Sequence, residues 1–126
     1  MTEALFNVHT AGNCFQAHRK LFEAAAVLAR QLSTTFDDAD LFQLGGVCMR
    51  IAAESALQTS DPKEALRRWQ ECTLAERQIR IATYRALRAG CIDNELYDGL
   101  FRLAKTAARV REDERLRLRW RLLRLV

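Results

Sequence analysis

The sequence predicts an all-α fold: an antiparallel up-down-up-down four-helix bundle with a basic C-terminal tail. Three observations lead there. Apolar residues recur every three to four positions in four separate stretches, the spacing of one helix face. Turn residues are scarce, with one proline, Pro62, and five glycines, where a β-rich chain of this size needs many more. Short polar interruptions separate the stretches, as between antiparallel neighbours in a bundle. At 126 residues, 49% apolar and 29% charged, the chain has the profile of a single globular domain. It is long enough to bury a core without disulfides or metal.

Residues 1–12 read as a leader, in which Leu5, Phe6 and Val8 follow no clear period. The bundle is expected over 13–114. The first helix is expected over 13–32, with Asn13 as its N-cap. Phe15, His18, Phe22, Ala25, Ala29 and Leu32 form its inner stripe, widened by Cys14, Leu21 and Leu28. Ser33-Thr34-Thr35 ends the pattern. The second helix is expected over 38–58, with Asp37, Asp38 and Asp40 at its positive end. Leu41, Leu44, Val47, Cys48, Ile51 and Ser55 are expected to face inward. Gly45-Gly46 sits inside this helix and costs about 1 kcal/mol per glycine relative to alanine. Close approach of a neighbouring helix accounts for the pair better than a phosphate-cradling loop, since no strand precedes it and no GxGxxG pattern surrounds it.

The third helix has the clearest start. Asp61-Pro62-Lys63-Glu64 supplies an N-cap, a proline at the first helical position and a glutamate placed for a capping box. It runs to about residue 89, with Gly90 as C′ residue. Its inner stripe is Leu66, Trp69, Thr73, Glu76, Ile79, Thr83 and Leu87, with Cys72 and Ala86 alongside. Leu74, Ile81 and Tyr84 lie off that stripe and suit a second surface, such as another subunit. The fourth helix begins near 93 or 94 and is expected to end between 111 and 114. Its stripe is Leu96, Tyr97, Leu100, Leu103, Ala104, Ala107 and Val110.

Charge is unevenly placed. The net charge is +4, and the five arginines of 115–126, a segment with no acid, account for all of it. Arginine greatly outnumbers lysine, which suits carboxylate or phosphate recognition and equally fits a compositional bias. In the tail, Arg115, Arg117, Arg119 and Arg121 alternate with Leu116, Leu118, Trp120 and Leu122, and Arg124 follows. Alternation favours an extended segment, whereas Arg and Leu propensities favour helix. The tail has three readings: a continuation packed on a neighbouring subunit, a nucleic-acid arm in which Trp120 stacks on a base, or a membrane-surface anchor. On the third helix, Arg77, Arg80 and Arg88 fall near one face with Tyr84 beside them. They read either as a solvated face paired with Glu71 and Glu76 or as a basic patch for a polyanion. The oligomer-contact candidates are Leu74, Ile81, Tyr84, Leu116, Leu118, Trp120 and Leu122.

Catalytic and metal signals are weak. Cys14, Cys48, Cys72 and Cys91 form no CxxC pair and fall in or beside apolar stripes, as reduced thiols of a cytoplasmic protein do. Cys14 and His18, four residues apart, share a helical face, and His9 lies upstream. That set allows a small metal or thiol enzyme, but a satisfied core histidine is the simpler reading. Glu54, Glu64, Glu71 and Glu76 make no ExxH pairs, and no nucleotide-binding or hydrolase motif occurs. The sequence therefore points to no catalytic residue, no metal and no cofactor. No stretch approaches the ~20 apolar residues of a membrane span, and the N-terminus lacks the pattern of a signal peptide.

Order and spacing over 41–110 carry a family resemblance. Leu41-Phe42-Gln43-Leu44 opens the second helix and Ile51 follows. Leu87-Arg88-Ala89-Gly90-Cys91-Ile92 closes the third, and Tyr97 with Leu100 opens the fourth. The chain thereby resembles the four-helix-bundle proteins encoded in ribosomal RNA intervening sequences, a family related to the accessory variability determinant of diversity-generating retroelements. It departs from that family where Glu54-Ser55-Ala56-Leu57-Gln58 stands in place of Asn-Ile-Ala-Glu-Gly, and it lacks the family's Gly-Ser in the third helix. The resemblance implies a homopentameric ring without cofactor or catalytic residues. It also implies a basic surface that engages RNA, DNA or a nucleic-acid-handling partner. The expectation is a non-enzymatic scaffold. The alternative is an accessory subunit that binds one protein partner and no nucleic acid.

Overall fold

A computed structural model describes the backbone of residues 3–125 and the side chains of 10–124. Leu5, Phe6, Val8 and His9 therefore lie outside the described side chains. Four helices and no strand are present among the described residues: α1 (Glu3–Gln31), α2 (Ala39–Gln58), α3 (Pro62–Arg88) and α4 (Asn94–Leu125). Each helix packs on its neighbours in sequence, and α4 closes on α1. Cross-helix contacts run in opposite directions. Asp38 at the N-cap of α2, then Gly45 and Met49 within it, meet Arg85, Ile79 and Cys72 of α3 in that order. Glu76 and Arg80 of α3 meet Arg111 and Phe101 of α4. None of the described helices is long and apolar enough to cross a membrane.

The helix ends show what stops and starts each element. Asp61 accepts a hydrogen bond from the Lys63 N–H, and Pro62 opens α3. Glu64 does not complete a capping box: its carboxylate is taken by Arg67 and Arg68, and the Asp61 N–H donates to Thr59 instead. Gly90 adopts φ 75°, and the Gly90 and Cys91 N–H groups return to the Leu87 and Ala86 carbonyls. That pairing is the Schellman closure, which needs a left-handed residue at this point. Asp93 caps α4 by accepting from the Leu96 N–H.

Three sequence expectations are corrected. The first helix begins at Glu3, not at Asn13, so Asn13 is interior and residues 3–12 belong to the helix; Gly12 alone is too weak a breaker to stop it. The inner face of α2 is not centred on the expected stripe of Leu41, Leu44, Val47, Cys48, Ile51 and Ser55, of which Leu41, Val47 and Ser55 are half-buried. That face is Ala39, Phe42, Gly45, Gly46, Met49, Ala52, Ala53 and Ala56, while Leu44, Cys48 and Ile51 are exposed. The cause is close approach. A Cβ on Gly45 would stand 2.7 Å from Ile79 Cγ1 and 3.2 Å from the Ala75 carbonyl, and one on Gly46 3.4 Å from the Phe22 carbonyl. Only small residues let α1 and α3 come that near. On α3 the same logic replaces Thr73, which is exposed, with Ala65, Ala75 and Ala82.

The third correction concerns the tail. α4 continues without a break to Leu125, so 115–125 is no separate appendage and no extended strand. Leu118 is 2% exposed within the chain's own core. Arg111 and Glu114, where the apolar pattern fades, are themselves buried.

Candidate nucleic-acid interface

A polar layer crosses the core. His18 Nδ1–H donates to the Cys14 carbonyl at 2.7 Å, and Arg111 donates to His18 Nε2 at 3.1 Å. The same guanidinium donates to buried Glu76 at 2.8 Å. One turn further on, Arg117 forks onto buried Glu114 at 2.5 and 2.6 Å. Trp69 packs beside the His18 ring, 5.1 Å between centroids. Burial holds His18 down at about 4, with Arg111 adding to that and the Cys14 carbonyl opposing it. Burial, reinforced by Glu114, pushes the Cys14 thiol up, and burial raises Cys72 to about 12. The imidazole is thus neutral with both nitrogens engaged, and the thiol stays protonated, so the pair offers neither thiolate nor free base. Among the described residues no three His, Cys, Asp or Glu side chains gather as a metal site. The four cysteines are free, and Cys48, expected in a stripe, is exposed.

A larger concave feature than the polar layer offers lies between α3 and α4, a groove of about 530 Å³. Arg77, Arg80, Tyr84 and Arg85 rim it from α3, and Tyr97, Leu100, Phe101 and Ala104 form the α4 side. Ala104 leaves the space that a larger side chain would fill. Tyr97 and Phe101, one turn apart, lie nearly parallel at 18° with centroids 6.4 Å apart. The Arg80 guanidinium sits over the Phe101 ring at 5.5 Å, a cation–π arrangement. Arg80 also reaches Glu76 at 3.6 Å, and Arg85 reaches Asp38 at 3.4 Å. Arg77 makes no ion pair among the described residues.

The sequence candidates divide accordingly. Arg77, Arg80 and Tyr84 come together in the groove, whereas Arg88 is exposed in the last turn of α3 and does not line it. On α4, Arg115 is paired with Glu112 and Arg117 with Glu114. Arg117 and Leu118 are therefore committed inside the chain and do not present the arm or the subunit contact expected of them. Arg121 is half-buried beside a smaller cavity at the α2–α3 turn, and Leu122 is half-buried as well. Arg119, Trp120 and Leu116 are exposed, with Leu123 beside them and Arg124 over the Trp120 ring at 6.0 Å. Leu74, Ile81 and Tyr84 are exposed as expected of a second surface. Sequence reasoning missed Tyr97 and Phe101 as groove residues because Tyr97 scored as core. It missed the Glu76–Arg111 pair although Glu76 already sat on the inner stripe, where a carboxylate demands a partner.

Comparisons with known protein families, curated proteins and solved structures find no match.

Proposed function

We propose that this chain is a non-enzymatic, self-assembling helical scaffold that binds nucleic acid through its arginine-rich surfaces. The α3–α4 groove carries the proposal, because it sets Arg77, Arg80 and Tyr84 against the exposed Phe101 ring and the half-buried Tyr97 ring of α4 in one basic, aromatic trough. Guanidinium groups serve phosphates and ring faces serve bases, so the two chemistries together fit a nucleic acid better than a simple anion. The test is fluorescence anisotropy with labelled RNA and DNA across a salt series. Binding that weakens steeply with salt, with a log–log slope of about −0.9 per phosphate neutralised on duplex DNA, supports the reading. No binding at low salt removes it. Arg119→Gln and Trp120→Ala probe the exposed face of α4 more cleanly than truncation, because the same helix anchors the core through Leu118.

Self-assembly rests on uncovered apolar faces. Leu44 and Ile51 share one face of α2, and Leu74 and Ile81 one face of α3, and each is more than two-fifths exposed. Such faces usually meet a partner, and the family resemblance favours a ring of five. Sedimentation at micromolar concentration is expected to give a multiple of the 14.5 kDa chain mass. Ile51→Arg with Leu74→Arg is expected to return a folded monomer. The four free thiols suit a reducing, cytoplasmic setting. A second reading, a subunit that binds one protein partner and no nucleic acid, is favoured by the exposed Leu116, Trp120 and Leu123 on α4.

A further inference from the structure

We infer that the α3–α4 groove takes a single strand, with an unpaired base against its rings, rather than a duplex; the inference rests on the nucleic-acid reading above. Tyr84 is 52% exposed and Phe101 40%, and Tyr97 is half-buried behind Phe101. Tyr84 stands open at the rim and Phe101 lies under the Arg80 guanidinium, an arrangement that suits a flat, polarisable, anionic partner. A duplex keeps its base faces stacked on one another, so it offers the rim phosphates only and leaves the rings uncovered. A single strand offers both at once: phosphates to Arg77 and Arg80, and a base face to Tyr84 or Phe101.

The charge around the groove agrees. Glu76, the acidic residue in its wall, is buried and already engaged by Arg111 at 2.8 Å, so its charge is largely answered from within. Arg80 is held to it only at 3.6 Å and lies over Phe101, so a base stacking on that face displaces the guanidinium, which is then free to turn to a phosphate. Arg77 has no ion-pair partner among the described residues. Positions 77 to 84 span two turns of α3, about 10 Å. The groove is therefore a short site for one or two nucleotides, and length beyond that gains affinity only through other surfaces or other copies.

The experiment uses the full chain and three fluorescein-labelled 12-mers: oligo-dT, oligo-U and a mixed-sequence DNA duplex. Affinity is read by anisotropy from low to moderate salt. The single strands are expected to bind more tightly than the duplex. Tyr84→Ala and Phe101→Ala are each expected to weaken single-strand binding by roughly 5- to 100-fold, as loss of one stacked base does, and to leave duplex binding unchanged. Tyr84→Phe is expected to retain binding, since it keeps the ring. Arg77→Gln is expected to reduce the single-strand salt slope by about 0.7. If Phe101→Ala lowers the melting temperature, Tyr84→Ala decides, because that side chain is exposed at the rim. Equal or tighter duplex binding, or unchanged strand affinity in both ring variants, overturns the groove inference while leaving nucleic-acid binding intact. Loss of strand binding in Trp120→Ala alone moves the site to the outer face of α4 and also overturns it. Absence of binding to all three probes at low salt overturns the nucleic-acid reading and this inference with it.

Discussion

Arg111 joins three helices through one guanidinium, donating to Glu76 of α3 and to His18 of α1 from its own place on α4. Removing one member of such a layer strands the others in a medium that cannot solvate them. Arg111→Met is therefore expected to destabilise the fold by about 3–5 kcal/mol. The double change Glu76→Met with Arg111→Met is expected to cost clearly less than the sum of the two single changes, read from urea melts as a double-mutant cycle. His18 adds a pH signature. Its folded pKa, about 4, lies below the ordinary 6.5, so the unfolded chain takes up the proton first. Stability is complete above pH 6.5 and falls as pH drops towards 4, by roughly 3 kcal/mol over that window. His18→Gln is expected to flatten that slope between pH 6.5 and 4; an unchanged slope would place the titration elsewhere.

Along single helices, the close approach at Gly45 and the open site at Gly99 make opposite predictions for the same substitution. Gly45→Ala drives a Cβ to 2.7 Å from Ile79 Cγ1 and 3.2 Å from a backbone carbonyl, so the Ile79 side chain must shift and the Ala75 backbone must give by a few tenths of an ångström. A loss of about 1–3 kcal/mol is expected despite the gain in helix propensity. A Cβ on Gly99 meets nothing within 4 Å, and Gly99→Ala is expected to stabilise by about 0.5–1 kcal/mol. Thermal melts of both variants check the pair. This contrast also explains which elements could be read in advance. The α1 stripe, with its large Leu21, Phe22 and Leu28, obeyed hydropathy and was legible, as was the Asp61-Pro62 start of α3. The α2 face was not, because hydropathy ranks Leu44 and Ile51 above Gly45 and Ala52, whereas packing distance ranks them the other way. The end of α4 was hidden because Arg111 and Glu114 occupy core positions, and their partners on other helices are invisible to a one-helix pattern. Within the groove, the α3 side was legible through Arg77, Arg80 and Tyr84; the α4 side was not. Deleting 115–126 tests the corrected boundary. It strips Leu118 from the core and Arg117 from buried Glu114, so circular dichroism is expected to show a large fall in melting temperature, not an unaffected bundle.

At the scale of the whole molecule, the proposed assembly surface and the groove meet along α3. Leu44 and Ile51 of α2 and Leu74 of α3 lie outside the groove, while Ile81 is exposed and lines its α3 wall beside Arg77 and Tyr84. A ring of copies built on the assembly surface would repeat the groove around its axis, and a longer strand could then touch several grooves at once. The interior that allows this is thin. Nearly half of the buried apolar residues described are alanines, concentrated where α2 and α3 approach most closely. Alanine brings backbones together but withdraws little hydrocarbon from water, and it is that hydrocarbon whose hydration governs the heat capacity of unfolding. Calorimetry is accordingly expected to give a value below the usual ~12–15 cal/mol/K per residue. The consequence is thermal: a flatter stability curve, with less loss in the cold than a leucine-filled bundle of the same length would suffer.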